Sequence, residues 1–100
     1  MPGTISRRVI VSGIVQGVSF RAYTRAAARK VGVTGWVRNL PDGKVESLIE
    51  GNPEQVNSML AWFRKGSPYS RVDRVSVYEE TPRGESTDFE ISYSRGEYWL

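Results

Sequence analysis

The sequence predicts a single α+β domain in which two helices cover one face of an antiparallel sheet. Stretches with apolar residues at every second position alternate with two segments in which apolar residues recur every three or four positions. Glycine, proline and asparagine stand at the boundaries between these segments. The chain has 100 residues, which corresponds to one domain that can bury a core without disulfides or metals.

The first half of the chain predicts a strand, a helix and a hairpin. RRVIVSGIV is rich in Val and Ile with polar residues between them, as is typical of a strand. FRAYTRAAARKVG predicts a helix of about three turns that stops at Gly32. Its apolar residues at helical spacing are Phe20, Tyr23, Ala27 and Val31. TGWVRN and KVESLIEG predict two strands joined by the turn LPDG.

The second half predicts a helix followed by strands. Asn52 is expected to be the N-cap of the helix, with Pro53 at its first position and Gln55 completing a capping box. The apolar stripe of this helix comprises Val56, Met59, Leu60 and Phe63, and Gly66 ends it. VDRVSVYEE predicts a strand whose apolar register shifts between Val72 and Val75, which indicates a bulge. DFEISYS predicts a half-buried strand in which Phe89, Ile91 and Tyr93 alternate with polar residues.

The first six of these elements follow the order βαββαβ of the ferredoxin-like split βαβ fold, and the strand DFEISYS comes after them. We assign residues 1–100 to one domain, and we expect a flexible N-terminus over about residues 1–6 and a C-terminal tail over about residues 95–100. This tail contains GEYWL, beyond the last predicted strand. We expect Tyr98 and Trp99 to pack on an edge of the domain.

The composition excludes several kinds of chemistry. The chain has no cysteine, so it has no disulfide and no thiolate metal site. It has no histidine, which removes the commonest general base and transition-metal ligand. No segment has the length and hydropathy of a membrane span, and MPGTISRR lacks the apolar region of a signal peptide. We therefore expect a protein with no membrane partner, and we take the cytoplasm as its default location.

Basic residues are concentrated in the first half of the chain. Residues 1–41 contain seven Lys and Arg and no acidic residue, whereas all 11 acidic residues lie from Asp42 onward. This asymmetry predicts an anionic partner for the first half, with a solvated basic helix face as the alternative.

The segment GIVQGVSFR, residues 13–21, joins the first predicted strand to the first predicted helix. A glycine turn before a helix lets unpaired backbone N–H groups converge on an anion. Arg21 adds a planar guanidinium that matches two phosphate oxygens. We therefore predict a phosphate-binding loop whose backbone contributes through Val15, Gln16, Gly17, Val18, Ser19 and Phe20.

This loop carries no familiar nucleophile. The chain has no Walker motif, and Val15 stands where the C-x5-R loop of cysteine phosphatases has its cysteine. Ser19 is a poor candidate because no histidine accompanies it. Direct attack by water is the simplest mechanism, and Asn39, before the hairpin turn, can both donate to and accept from a water. The alternative for Asn39 is ordinary turn chemistry.

Two motifs resemble the signatures of the acylphosphatase family. The pattern G-x-V-Q-G-V-x-F-R is matched by Gly13, Val15, Gln16, Gly17, Val18, Phe20 and Arg21. The pattern G-[FYW]-[AVC]-x-N-x-x-x-G-x-V-x5-G is matched by Gly35, Trp36, Val37, Asn39, Gly43, Val45 and Gly51. Ser19 replaces a residue that is often glycine in the family, and the tail runs past the end of many members.

The resemblance implies hydrolysis of acyl phosphates to a carboxylate and inorganic phosphate, without metal or cofactor. It implies that Arg21 binds the phosphoryl group together with the loop amides and that Asn39 orients the attacking water. Acyl phosphate and inorganic phosphate would be the only ligands, and we expect a monomer.

Three other interpretations remain open at this point. An RRM shares the βαββαβ order, but its stacking aromatics and RNP1 pattern are absent, so we expect no nucleic-acid ligand. A regulatory domain of a carbamoyl-transfer protein would usually belong to a longer chain. A bare interaction domain would not explain why both signatures are intact.

Overall fold

The computed structural model describes residues 3–93, which form five strands and two helices. The elements follow one another as β1 (Ile5–Ile14), α1 (Phe20–Val31), β2 (Thr34–Asn39), β3 (Val45–Gly51), α2 (Pro53–Lys65), β4 (Arg71–Glu80) and β5 (Phe89–Ser92). The strands form one sheet in the order β4-β1-β3-β2-β5, with both helices on one face. The predicted ferredoxin-like α+β class is thus confirmed. The predicted tail, including Tyr98 and Trp99, lies outside the described residues.

One strand pairing differs from the wholly antiparallel sheet that the sequence predicted. The pairs β1–β3, β1–β4 and β2–β3 are antiparallel, whereas β2 and β5 are parallel. β4 ends at the edge of the sheet where β2 begins. Glu80 at the end of β4 and Glu50 at the end of β3 both lie opposite Ser6. Glu50 also lies opposite Thr34, the first residue of β2. The chain crosses this edge before β5, which must then run in the same direction as β2.

The carboxylate of Glu50 holds this crossing segment. Glu50 is buried, and it accepts hydrogen bonds from the backbone N–H groups of Arg83 and Gly84, both at 3.2 Å. The connection is therefore attached to the end of β3, which it passes on its way to β5.

The core lies between the sheet and the two helices. Successive side chains of a strand point to opposite faces of the sheet, and the face that the helices cover carries the buried apolar residues. The fully buried side chains include Val9, Val11, Val37, Val45, Ile49, Phe63 and Phe89. The rings of Phe20, Trp62 and Phe63 join α1 to α2, with centroids 5.5 to 6.4 Å apart. None of the described helices is both long and apolar enough to cross a lipid bilayer.

The predicted features of α2 are confirmed. The side chain of Asn52 accepts from Gln55 N–H at 2.8 Å, and the side chain of Gln55 accepts from Asn52 N–H at 2.9 Å. The predicted apolar stripe forms the buried face of this helix.

The buried face of α1 is rotated from the predicted stripe. It consists of Phe20, Thr24 and Ala28, whereas Tyr23 is 37 % exposed. Thr24 is tolerated in the interior because its hydroxyl donates to Phe20 O at 2.8 Å.

The N-terminal boundary and the bulge can be compared directly with the structure. β1 begins at Ile5, and both Ile5 and Ser6 are paired with β3 in the sheet. These two residues fall within the N-terminal segment, about residues 1–6, that was predicted to be flexible. The predicted bulge is confirmed: Ser12 lies opposite Arg74 and Gly13 opposite Val72, which leaves Asp73 as the extra residue. Gly13 is required here, because a Cβ would lie 2.0 Å from Arg71 O.

Candidate active site

The ends of three strands and the start of one helix meet at one edge of the sheet. β1, β2 and β5 run in the same direction, so their carboxyl ends share this edge. The chain leaves β1 there and enters α1 through residues 15–20, which we call the Gly17 loop. This arrangement brings residues that are far apart in the sequence into one place.

A cavity of about 420 Å³ opens at this edge. Its lining consists of Val15, Gln16, Gly17, Ser19, Phe20, Arg21, Ala22, Asn39, Ile91 and Tyr93. Both predicted catalytic residues are therefore in one cavity, together with five of the six predicted loop residues. The exception is Val18, whose side chain packs against the core.

The backbone of the Gly17 loop presents free hydrogen-bond donors. The first helical bond of α1 runs from Tyr23 N–H to Ser19 O at 3.1 Å. The N–H groups from Gln16 to Ala22 donate to no other described residue. Unpaired N–H groups at a helix N-terminus form an anion-binding site that the helix dipole reinforces. The loop therefore has the donors that an oxyanion requires.

Two residues give the loop its shape through left-handed backbone conformations. Gly17 has φ 75°, which glycine adopts at no steric cost. Ser19 has φ 61° and ψ 25°, and it is the only non-glycine residue with positive φ in the described part of the chain. Its side chain makes no capping bond to α1, so nothing local compensates this strain. The glycine that often occupies this position in the family would adopt the same conformation without strain.

Arg21, in the first turn of α1, has a guanidinium that no carboxylate of residues 3–93 neutralises. It forms no ion pair with a described residue, and its Cζ lies 5.0 Å from the centroid of the Tyr93 ring. A ring face orients a guanidinium without occupying its N–H groups, whereas a carboxylate would use them. Arg21 is thus positioned to bind an anion in the cavity.

Asn39 is the last residue of β2 and lies on the side of the sheet that the helices cover, two residues after the buried Val37. Its Oδ1 atom is buried and has no hydrogen-bond partner among the described residues. A buried amide oxygen without a partner costs free energy, so such atoms are rare in folded proteins. Asn39 is one of the residues that line the cavity.

Sequence reasoning missed two features of this cavity. Gln16 was expected to contribute only its backbone. Its side chain donates from Nε2 to Leu40 O and Lys44 O, both at 2.8 Å. Ile91 and Tyr93 join the lining because β5 pairs with β2, which brings Ile91 of β5 and Tyr93 just after it to the cavity. The predicted half-buried strand ends at Ser92, and Tyr93 is 75 % exposed. The alternation of apolar and polar residues in DFEISYS predicted a strand, but it could not predict that this strand pairs with β2.

Much of the basic charge of the first half is paired within the protein. Arg7, Arg8, Arg29 and Arg38 form ion pairs with acidic residues of the second half. The charge asymmetry therefore does not by itself indicate an anionic partner for the whole half. Arg21, at the cavity, is among the basic residues without such a pair in the described part of the chain.

Two surface carboxyls have shifted pKa values. The backbone N–H of Lys44 and then its ammonium lower the pKa of Asp42, in the hairpin turn. The backbone N–H of Phe89 and then the Arg29 guanidinium lower the pKa of Asp88, before β5. Neither carboxyl lines the cavity, and the described residues of its lining include no carboxylate. Nor do the described residues include a cluster of three or more acidic side chains that could hold a metal ion.

Comparison with known proteins supports the resemblance stated above. The acylphosphatase family model matches residues 7–91. An acylphosphatase from Syntrophobacter fumaroxidans is 56 % identical over 87 residues, which is 87 % of this chain and 90 % of that protein. The crystal structure of acylphosphatase from Bacillus subtilis matches with a TM-score of 0.85 and 39 % identity, over 89 % of this chain and 99 % of that one.

A third similarity is to part of a longer protein. Full-length HypF in its phosphate- and nucleotide-bound form matches with a TM-score of 0.79 and 29 % identity. The match covers 92 % of this chain but only 12 % of the HypF chain. Because the family model matches most of this chain and the S. fumaroxidans relative is 56 % identical along nearly its whole length, this chain belongs to the acylphosphatase family.

Proposed function

We propose that this protein hydrolyses the carboxyl-phosphate bond of acyl phosphates by direct attack of water on phosphorus. One observation carries the proposal: a single cavity is lined by the Gly17 loop, by Arg21 and by Asn39. Among the described residues, the loop N–H groups are unpaired, no carboxylate neutralises Arg21 and the buried Oδ1 of Asn39 has no partner. These groups provide the anion donors and the water acceptor that the reaction requires.

The Gly17 loop and Arg21 bind the phosphoryl group. Backbone N–H groups take part of its negative charge, and the guanidinium fork contacts two of its oxygens. Phosphoryl transfer depends mostly on positioning and charge stabilisation, so these donors serve the transition state.

Asn39 positions the nucleophile. Its Oδ1 accepts a hydrogen bond from the water and directs a lone pair of that water towards phosphorus. Ser19 lines the cavity too, but the described lining contains no histidine, carboxylate or lysine to act as its base. We therefore assign attack to water rather than to Ser19.

The bond changes need no general acid. The water oxygen forms a bond to phosphorus while the bond from phosphorus to the acyl oxygen breaks, and the carboxylate leaves with the electron pair. Its conjugate acid has a pKa of roughly 4, so it departs without protonation. A phosphate oxygen of the substrate accepts the proton of the water.

The alternative functions have less support. An RRM-like module would stack bases on its first and third strands, but β1 and β3 contain no aromatic residue, and Arg8 and Glu46 of these strands form an ion pair. A regulatory role like that of a domain within a longer chain is suggested by the similarity to HypF. We favour the enzyme because the S. fumaroxidans relative matches over 90 % of its own length. We also propose that the protein acts as a cytoplasmic monomer without metal.

The test is release of inorganic phosphate from acetyl phosphate in the presence of a chelator. We expect turnover by the wild type and a loss of about 10³-fold or more in Arg21→Ala, by analogy with other phosphoryl-stabilising arginines. Arg21→Lys should recover little, since an ammonium cannot reproduce the fork. Arg25→Ala, one turn further along α1 and outside the cavity lining, is the matched control and should retain activity.

Three results would contradict the proposal. A folded wild type without turnover would make the cavity a binding site rather than an active site. Arg21→Ala with activity near that of the wild type would remove the guanidinium from the mechanism. Turnover that the chelator abolishes and added metal restores would show that the reaction depends on metal.

A further inference from the structure

We propose that Gln16 is a positioning residue whose side chain sets the distance between the Gly17 loop and Asn39. The inference rests on the proposed function, because it concerns how the two halves of that site are aligned. The backbone of Gln16 belongs to the loop, while its side chain leaves the loop and reaches the β2–β3 hairpin. One residue therefore belongs to one half of the site and contacts the other.

The contact uses both hydrogens of a single amide nitrogen. Nε2 donates to Leu40 O and to Lys44 O, each at 2.8 Å, across 24 and 28 residues of sequence. Two bonds in different directions fix the nitrogen more tightly than one bond would, because they restrict both its distance and its angle.

The two carbonyls do not need Gln16 in order to close the hairpin. Lys44 O already accepts from Leu40 N–H at 2.8 Å, and Leu40 O accepts from Gly43 N–H at 3.2 Å. The turn would therefore form without the amide. The additional bonds serve to place the turn relative to the loop.

Asn39 depends on this placement because it directly precedes Leu40. Its backbone is held in the sheet opposite Val45, but its Oδ1 has no partner among the described residues. The position of that oxygen is set by the backbone on either side, and on one side this backbone is fixed by Gln16. A displacement of about 1 Å between catalytic groups can cost on the order of 10²-fold in rate.

The chemistry of glutamine suits this task. A carboxylate in its place would face two carbonyl oxygens and repel them, and a lysine or arginine would bring a second charge next to Arg21. A neutral amide supplies two donors and leaves the guanidinium as the cationic side chain of the described lining.

The experiment is a double-mutant cycle between Gln16→Met and Asn39→Ala, with acetyl phosphate as substrate and inorganic phosphate as inhibitor. Met is unbranched and similar in length, but it has no donor. Gln16→Met should lower kcat about 10- to 100-fold with a much smaller change in the inhibition constant of phosphate. In the Asn39→Ala background the same change should have little further effect on kcat, because the positioned group is already absent.

Ser47→Ala is the matched control. It removes a side-chain-to-backbone bond within the β2–β3 hairpin that Gln16 contacts. This bond runs from Ser47 Oγ to Trp36 O at 2.7 Å and lies outside the cavity lining. It should lower the melting temperature without lowering kcat. Gln16→Asn is a second variant that keeps the amide but shortens its reach, and it should lose kcat as Gln16→Met does.

The outcomes separate this inference from the proposed function. If Asn39→Ala leaves kcat unchanged, the water-positioning role fails and the inference fails with it. If Asn39→Ala lowers kcat but Gln16→Met does not, or if their losses multiply, the inference alone is overturned. It is also overturned if neither Gln16 variant folds, since the amide would then serve stability.

Discussion

Replacing Asn39 by alanine should reduce activity without reducing stability. The substitution removes a carboxamide from the end of β2 and leaves the backbone pairing with Val45 intact. For most buried polar residues, such a change breaks hydrogen bonds and destabilises the protein. Asn39 differs because its buried Oδ1 has no partner among the described residues.

The size of the effect follows from this unpaired atom. A buried acceptor without a partner costs about 1–3 kcal/mol, and truncation to alanine removes that cost. The removed amide also contributed packing, which offsets part of the gain. We expect the free energy of unfolding to change by between zero and about +2 kcal/mol, where 1 kcal/mol raises the melting temperature by about 4–8 °C in a domain of this size. The same substitution should lower kcat by about 10²–10³-fold, the usual loss for one positioned hydrogen-bonding group.

Thermal unfolding by circular dichroism and steady-state hydrolysis of acetyl phosphate measure the two quantities. Inhibition by inorganic phosphate should change little, because the Gly17 loop and Arg21 remain. Ser67→Ala is the control: Ser67 Oγ is also buried without a described partner, but Ser67 does not line the cavity. This variant should be at least as stable as the wild type, with unchanged kcat.

Either of two results would refute the reasoning. A melting temperature that falls by more than a few degrees would mean that the Asn39 amide stabilises the fold. A large loss of phosphate binding would mean that Asn39 binds the phosphoryl group rather than the water.

The remaining predictions concern the loop, the ring beside Arg21 and a surface carboxyl. Ser19→Gly should raise the free energy of unfolding by about 0.5–1 kcal/mol at unchanged kcat, because it relieves left-handed strain that outweighs the flexibility of glycine; a lower urea midpoint would contradict this. Tyr93→Leu should weaken phosphate inhibition about two- to fivefold while Tyr93→Phe does not; equal loss in both would implicate the hydroxyl instead. Asp88→Asn should lower the melting temperature at pH 7. That difference in melting temperature should shrink as the pH falls below about 3.9, the pKa of Asp88 in the unfolded chain. The hydrogen bonds that lower its pKa in the folded protein stabilise only the ionised carboxylate. A difference that stays constant down to pH 2 would show that the charge of Asp88 is irrelevant.

The features that the sequence predicted correctly depend on short-range interactions. The capping box of α2 joins residues three positions apart, and the LPDG turn closes between Leu40 and Lys44. The buried stripe of α2 follows from helical periodicity alone. Signals of this kind are complete within one segment, so they can be read without knowing the rest of the fold.

The pairing of β5 depends instead on a long-range contact. The segment before it is held by the buried carboxylate of Glu50, 33 residues from Arg83. After this segment, β5 lies at the far edge of the sheet and runs parallel to its neighbour β2. The alternation of DFEISYS predicts which side chains face inward, but a period of two is the same for parallel and antiparallel strands.

The candidate site shows the same division. Arg21 was predicted from the residue types that bind phosphate, and the role of Asn39 was predicted from the resemblance of two motifs to the acylphosphatase signatures. The structure places both residues in one cavity. The bonds of the Gln16 side chain, the ring of Tyr93 beside Arg21 and the unpaired oxygen of Asn39 were not predicted. The chemical groups that bind phosphate and orient water are properties of individual side chains, so they can be recognised from the sequence alone. Which groups meet, and which polar atoms remain unpaired, depends on contacts between distant segments, and only the packed sheet and helices determine those.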